Sequence, residues 1–140
     1  MATVSVSEPI AMEPDRLWAL VGDFGGLTGW LPAISRCSVE GSGVGALRLL
    51  GFVGADVYAR ERQDARDEAG RSYSYSVVAT DLPIASYAAT VTVTPDGSGS
   101  RLTWSSRFAG TPGSDEAALV GMIEQTYRDG VKRLREIAAG

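Results

Sequence analysis

The chain has 140 residues, thirteen basic and seventeen acidic, for a net charge of −4. That balance, with no basic cluster, argues against a nucleic-acid partner, and 44% hydrophobic content with mean hydropathy near zero marks a soluble globular sequence. The absence of histidine excludes Ser-His-Asp and Cys-His catalysis and the commonest transition-metal ligand, while a single cysteine, Cys37, excludes an internal disulfide.

Thr3 to Glu8 alternates Val4 and Val6 with polar residues, the period of a half-buried strand. Pro14 opens a helix, where its missing N–H removes no bond. Leu17, Trp18, Leu20 and Val21 give that helix an apolar stripe, and Gly22 ends it. Phe24, Leu27, Trp30 and Leu31 belong to a second short helix or turn, interrupted by glycines and Pro32. Ser35 to Gly41 and Val44 to Gly51 read as strands around a Gly41-Ser42-Gly43 turn, with Gly51 to Ala55 a flexible loop.

Asp56 to Asp67 is a further strand. Arg71 to Ala79 sets Tyr73, Tyr75 and Val77 on one face and Ser72, Ser74 and Ser76 on the other. After a loop at Thr80 to Ile84, Ala85 to Thr94 groups Tyr87, Ala89, Val91 and Val93 in the same way. Pro95-Asp96-Gly97-Ser98-Gly99 is a hairpin turn, and Arg101 to Phe108 aligns Leu102, Trp104, Ser106 and Phe108. Ser114 is the expected N-cap of a long terminal helix, in which Leu119, Ile123, Tyr127, Val131 and Leu134 recur at helical spacing.

These elements predict one α+β domain over residues 1–140, with an antiparallel sheet whose dry face the long helix covers. One helix does not fill such a sheet, so a ligand cavity of roughly 300–1,000 Å³ is expected between them. No membrane-spanning run, signal peptide, cofactor motif or metal cluster is visible, and the expectation is a cytoplasmic monomer or homodimer.

Four segments in this order carry a resemblance: Leu17 to Phe24 running on to Trp30 to Ile34; Cys37 to Gly41 with Val44 to Arg48; Glu61-Arg62 with Tyr73 to Val77; and Tyr87 to Val93 with Leu102 to Trp104. Together they resemble the helix-grip superfamily of birch-pollen-allergen-type and START-type proteins. Within it they are most similar to the bacterial polyketide cyclase/dehydrase-like group. The resemblance implies a curved seven-stranded antiparallel sheet wrapped around a long C-terminal helix, with two short helices after the first strand. Plant abscisic-acid receptors of the same superfamily have pocket residues that match Glu61 before Arg62, Tyr75, Tyr87 and Ala89 here. Their carboxylate-anchoring lysine falls at Leu31, and their latch loop at Asp81-Leu82-Pro83-Ile84, so hormone reception is not implied.

Glu61 shares a strand face with Val57 and Ala59, and a buried carboxylate there is either paired or a poised acid or base. The competing register would solvate Glu61 and turn Tyr58 inward. Glu61, Tyr75 and Tyr87 are the candidate catalytic groups. Phe24, Trp30, Arg48, Phe52, Tyr73, Ala89, Trp104, Met122 and Thr126 are the candidate substrate-binding residues, with Gln125 a further candidate for the cavity floor. Tyr73 and Trp104 read rather as core, and Arg48 as a solvated strand residue, a partner of Glu61 or Asp56, or a group that binds an anionic part of the substrate. Two functions follow: a cyclase, dehydratase or lyase acting on an apolar intermediate, or a non-catalytic carrier or sensor of an apolar small molecule. A protein-interaction domain without a cavity is a third.

Overall fold

Period-two stretches become strands and helical-period stretches become helices. In the computed structural model, which describes residues 1–140, the order is β1 (Ala2–Ile10), α1 (Pro14–Val21), a 3-10 turn (Leu27–Gly29), β2 (Ile34–Glu40), β3 (Leu47–Phe52), β4 (Ala55–Asp67), β5 (Ser72–Thr80), β6 (Ile84–Asp96), β7 (Gly99–Gly110) and α2 (Glu116–Ala139). The seven strands form one antiparallel sheet in the order β1-β7-β6-β5-β4-β3-β2. Each strand from β2 to β7 pairs with the next, and β1 returns beside β7. The pairing slips at Arg60/Glu61 and Gln63/Ala65 in β4, and such bulges bend a strand and increase its twist.

The bent sheet closes over α2, which buries Leu119, Ile123, Tyr127, Val131 and Leu134. These join the inward residues of β1, β5, β6 and β7 and the Trp30-Leu31 segment in one apolar core. Gly130 allows a close approach: a Cβ there would stand 2.9 Å from Leu31 Cδ1 and 3.1 Å from the Trp30 ring. The architecture is the helix-grip fold.

The structure differs locally from the sequence reading. Val44 is exposed and lies outside β3, because Gly43 and Gly45 take left-handed φ values of 67° and 92° that no strand continues. The expected flexible loop at 51–55 is a tight turn at Val53-Gly54. The helix cap is Asp115, not Ser114: the Asp115 carboxylate accepts from Ala118 N at 3.1 Å. The Ser114 hydroxyl instead donates to Thr111 O.

Candidate ligand cavity and its polar wall

A cavity of about 90 Å³ lies between the sheet and α2. It is smaller than the sequence led us to expect, because Tyr75, Tyr87, Trp104 and Tyr127 project into the space beneath the helix. Leu27, Leu31, Ile34, Leu50, Ala59 and Ile84 supply apolar wall, so fifteen of nineteen lining residues are hydrophobic. Besides Thr80 and Thr126, two polar groupings interrupt it.

The first is an ion pair. Arg48 on β3 and Glu61 on β4 are direct cross-strand partners facing the same side of the sheet. They are 1% and 7% exposed. Arg48 Nε and Nη2 each approach Glu61 Oε1 at 2.8 Å. Arg48 Nη1 donates to Phe24 O at 3.0 Å, and the guanidinium lies 4.2 Å from the Phe24 ring centroid and 4.6 Å from that of Tyr75. A planar cation between two ring faces is held by both charge and stacking. Glu61 Oε2 takes no hydrogen bond from the protein, and it is not among the fully enclosed polar atoms, so it faces the cavity. Burial pushes the Glu61 carboxyl above its ordinary range, and Arg48 pulls it only part of the way back. Burial works against the Arg48 cation too, but the Tyr73 phenol and Glu61 more than offset it, so its pKa is raised.

The second is a row of phenols. Trp104 Nε1 donates to Tyr75 Oη at 3.1 Å, Tyr75 and Tyr87 share a bond of 3.4 Å, and Tyr87 bonds Tyr127. The Tyr127 ring stacks on Trp104 at 3.8 Å. Burial, then neighbouring phenols and Glu61, push Tyr75 and Tyr87 well above the ordinary tyrosine value, and burial pushes Tyr127 up to about 12. All three are neutral hydroxyls at neutral pH and can donate as well as accept.

Of the residues singled out from sequence, Glu61, Tyr75, Tyr87, Arg48, Phe52, Trp104, Met122 and Thr126 lie along this cavity. Met122 is 44% exposed and so sits at the mouth rather than the floor. Four of the expected lining residues do not reach the cavity. Phe24 turns onto Arg48, Tyr73 packs edge-on against Phe24, Trp30 lies behind Trp104 at 5.4 Å, and Ala89 pairs behind Tyr75 in β6. Gln125 also misses, its amide bonding Asp129 on the outer face of α2. Arg48 is buried and paired with Glu61, not solvated, and Tyr58 points outward. Tyr127 was overlooked, because helical spacing placed it in the apolar stripe and its hydroxyl gave no separate signal. Gln63 was also overlooked; it is buried and donates to Gly43 O at 2.7 Å. No cluster of three or more His, Cys, Asp or Glu side chains is placed to hold a metal, and no helix is long and apolar enough to cross a membrane.

Comparison with known proteins agrees with this fold. XoxI from Bacillus cereus is 29% identical with a TM-score of 0.89, covering 99% of this chain and 96% of its own. An uncharacterized protein from Bacillus thuringiensis is 27% identical with a TM-score of 0.86, covering 99% and 100%. Ara h 8.0201, 20% identical with a TM-score of 0.80 and covering 99% and 97%, shares the fold. No curated protein matches the chain. The family model described as "Polyketide cyclase / dehydrase and lipid transport" matches residues 1–139. The chain therefore belongs to the polyketide cyclase/dehydrase and lipid transport family, with the fold of a hydrophobic-ligand-binding domain.

Proposed function

We propose that the cavity binds a compact, mainly apolar carbonyl compound and acts on it by acid–base chemistry of the cyclase or dehydratase type. Glu61 Oε2 removes the proton α to the carbonyl, and the C–H electron pair passes into an enolate. Tyr75 and Tyr87 hydrogen-bond the enolate oxygen, where donors held in place at a developing charge have most effect. In a dehydration, the electron pair then expels a β-hydroxyl, which leaves as water with the proton held on Glu61. The observation that supports this reading is the free Oε2 of a buried carboxyl in an otherwise apolar wall, with its other oxygen pinned by Arg48.

Cyclopentanone is a suitable probe, because exchange of its α-protons in D2O requires the same first step. Wild-type protein should accelerate that exchange above buffer, and Glu61→Gln should return it to the buffer rate while retaining binding. Equal exchange by both proteins would sink the role of Glu61.

A carrier or sensor is the second reading. The Arg48 cage favours it, since a carboxylate clamped by a guanidinium between two rings also serves as a fixed wall. Binding of cyclopentanone without exchange would select it.

A further inference from the structure

The sheet ends in two edge strands, β1 and β2. A free edge carries a row of unpaired N–H and C=O groups, which is a template for another strand. The β1 edge is partly covered within the chain, because α2 packs along β1 and Arg135 donates to Pro9 O at 3.1 Å. The β2 edge has no such cover: from Arg36 to Glu40 its only backbone partner is β3.

The residues on that edge complement themselves. From Arg36 to Glu40 the ladder to β3 is regular, so side chains alternate between the two faces. Arg36, Ser38 and Glu40 are exposed on the outer face. Cys37 and Val39 share the inner face with Leu50 and Arg48, the buried residues opposite them, and Val39 is still 42% exposed. Arg36 and Glu40 stand four residues apart, about 13 Å along the strand, too far to pair with each other. Neither makes an ion pair elsewhere in its own chain.

Turned antiparallel about Ser38, a second β2 sets Arg36 opposite Glu40 twice and Ser38 opposite Ser38. On the inner face it sets Cys37 opposite Val39 twice. Opposite charges, paired hydroxyls and apolar groups are each favourable cross-strand neighbours. Moving the centre by one residue loses this: about Cys37, Arg36 meets Ser38, and about Val39, Glu40 meets Ser38. We infer that the chain self-associates through this edge. The partner is a second copy of the chain, and the two-fold axis passes beside Ser38, so that each contact occurs twice.

Sedimentation velocity on the whole chain, over a concentration series reaching the millimolar range, tests the association. Wild-type protein should form a dimer. Glu40→Arg and Arg36→Glu each set like charges opposite one another, and each should weaken the dimer about tenfold. An equal mixture of these two single variants restores both attractive pairs, and so does the double variant Arg36→Glu/Glu40→Arg. Both preparations should dimerise as wild type does. Wild-type protein that stays monomeric throughout, or a dimer indifferent to these charges, overturns the inference.

Mild oxidation reads the register independently. In a Cys37→Ser background, Ser38→Cys faces itself across the two-fold axis, with Cβ atoms about 4.5–5.5 Å apart. It should form a disulfide-linked dimer faster than Glu40→Cys, which faces Arg36, and faster than Ser98→Cys in the exposed turn between β6 and β7. Equal rates at positions 38 and 98 overturn the β2 pairing, and equal rates at 38 and 40 overturn its register. None of these positions lines the cavity, so the ligand reading stands or falls separately.

Discussion

Arg48 and Glu61 face each other across β3 and β4, with two guanidinium nitrogens each 2.8 Å from the same carboxylate oxygen. The one-sided grip has a consequence: the arginine uses Oε1 and leaves Oε2 to the cavity. The same contact that fixes the carboxyl in the wall thus leaves it chemically open.

Breaking this pair from one side should be more damaging than removing it. Arg48→Met leaves a buried, uncompensated carboxyl and should destabilise the fold by about 3–5 kcal/mol. Adding Glu61→Leu should recover a large part of that loss. Urea unfolding of the two single variants and the double variant measures the coupling; additive losses would show that the pair contributes little.

The Glu61 proton gives a pH signature. Its folded pKa is raised above the ordinary 4.5, so between those values the native state binds more protons than the unfolded chain. The contribution of Glu61 to stability is therefore fully present below the ordinary value and is lost as pH rises through the folded one. Comparing wild type with Glu61→Gln by thermal unfolding isolates it: wild type should lose ground to the variant as pH rises above the ordinary carboxylate value. A difference that grows in favour of wild type as pH rises would reverse the sign and contradict a raised pKa.

The phenols predict the alkaline limb. Tyr75 and Tyr87 are raised well above the ordinary value of 10.0, and Tyr127 to about 12. Unfolded tyrosines ionise first, so stability should fall as pH rises past the unfolded value. In a spectrophotometric titration, the absorbance of these three should appear only near or after alkaline unfolding. Early ionisation of all five tyrosines in folded protein would show that the row is wet.

The helix cap supplies a local test. Asp115→Ala removes the acceptor for Ala118 N and should cost about 1 kcal/mol, whereas Ser114→Ala should cost less. Thermal midpoints of the two variants rank them, and the reverse order would restore Ser114 as the cap.

Much of the fold was legible because alternation and helical spacing are local. The face shared by Ala59 and Glu61 is read directly from their separation by two residues. Pairing of Arg48 with Glu61 rather than Asp56 depended on strand register, which bulges in β4 shift and no local pattern displays. Phe24 reads from sequence as a substrate-binding residue, but its ring and carbonyl are taken by the Arg48 guanidinium. Tyr127 was hidden because a tyrosine on a buried stripe shows its apolar ring in the periodicity and not its hydroxyl. The size of the cavity follows from four aromatic rings meeting under one helix, a tertiary fact that composition does not encode.

The most direct measurement is a crystal structure of the protein with cyclopentanone bound. The account predicts its oxygen within about 2.6–3.2 Å of Tyr75 or Tyr87 Oη, and an α-carbon turned toward Glu61 Oε2. Cyclopentanone lodged outside the cavity, or inside it with its oxygen turned to the Met122 mouth and away from the phenols, would contradict it.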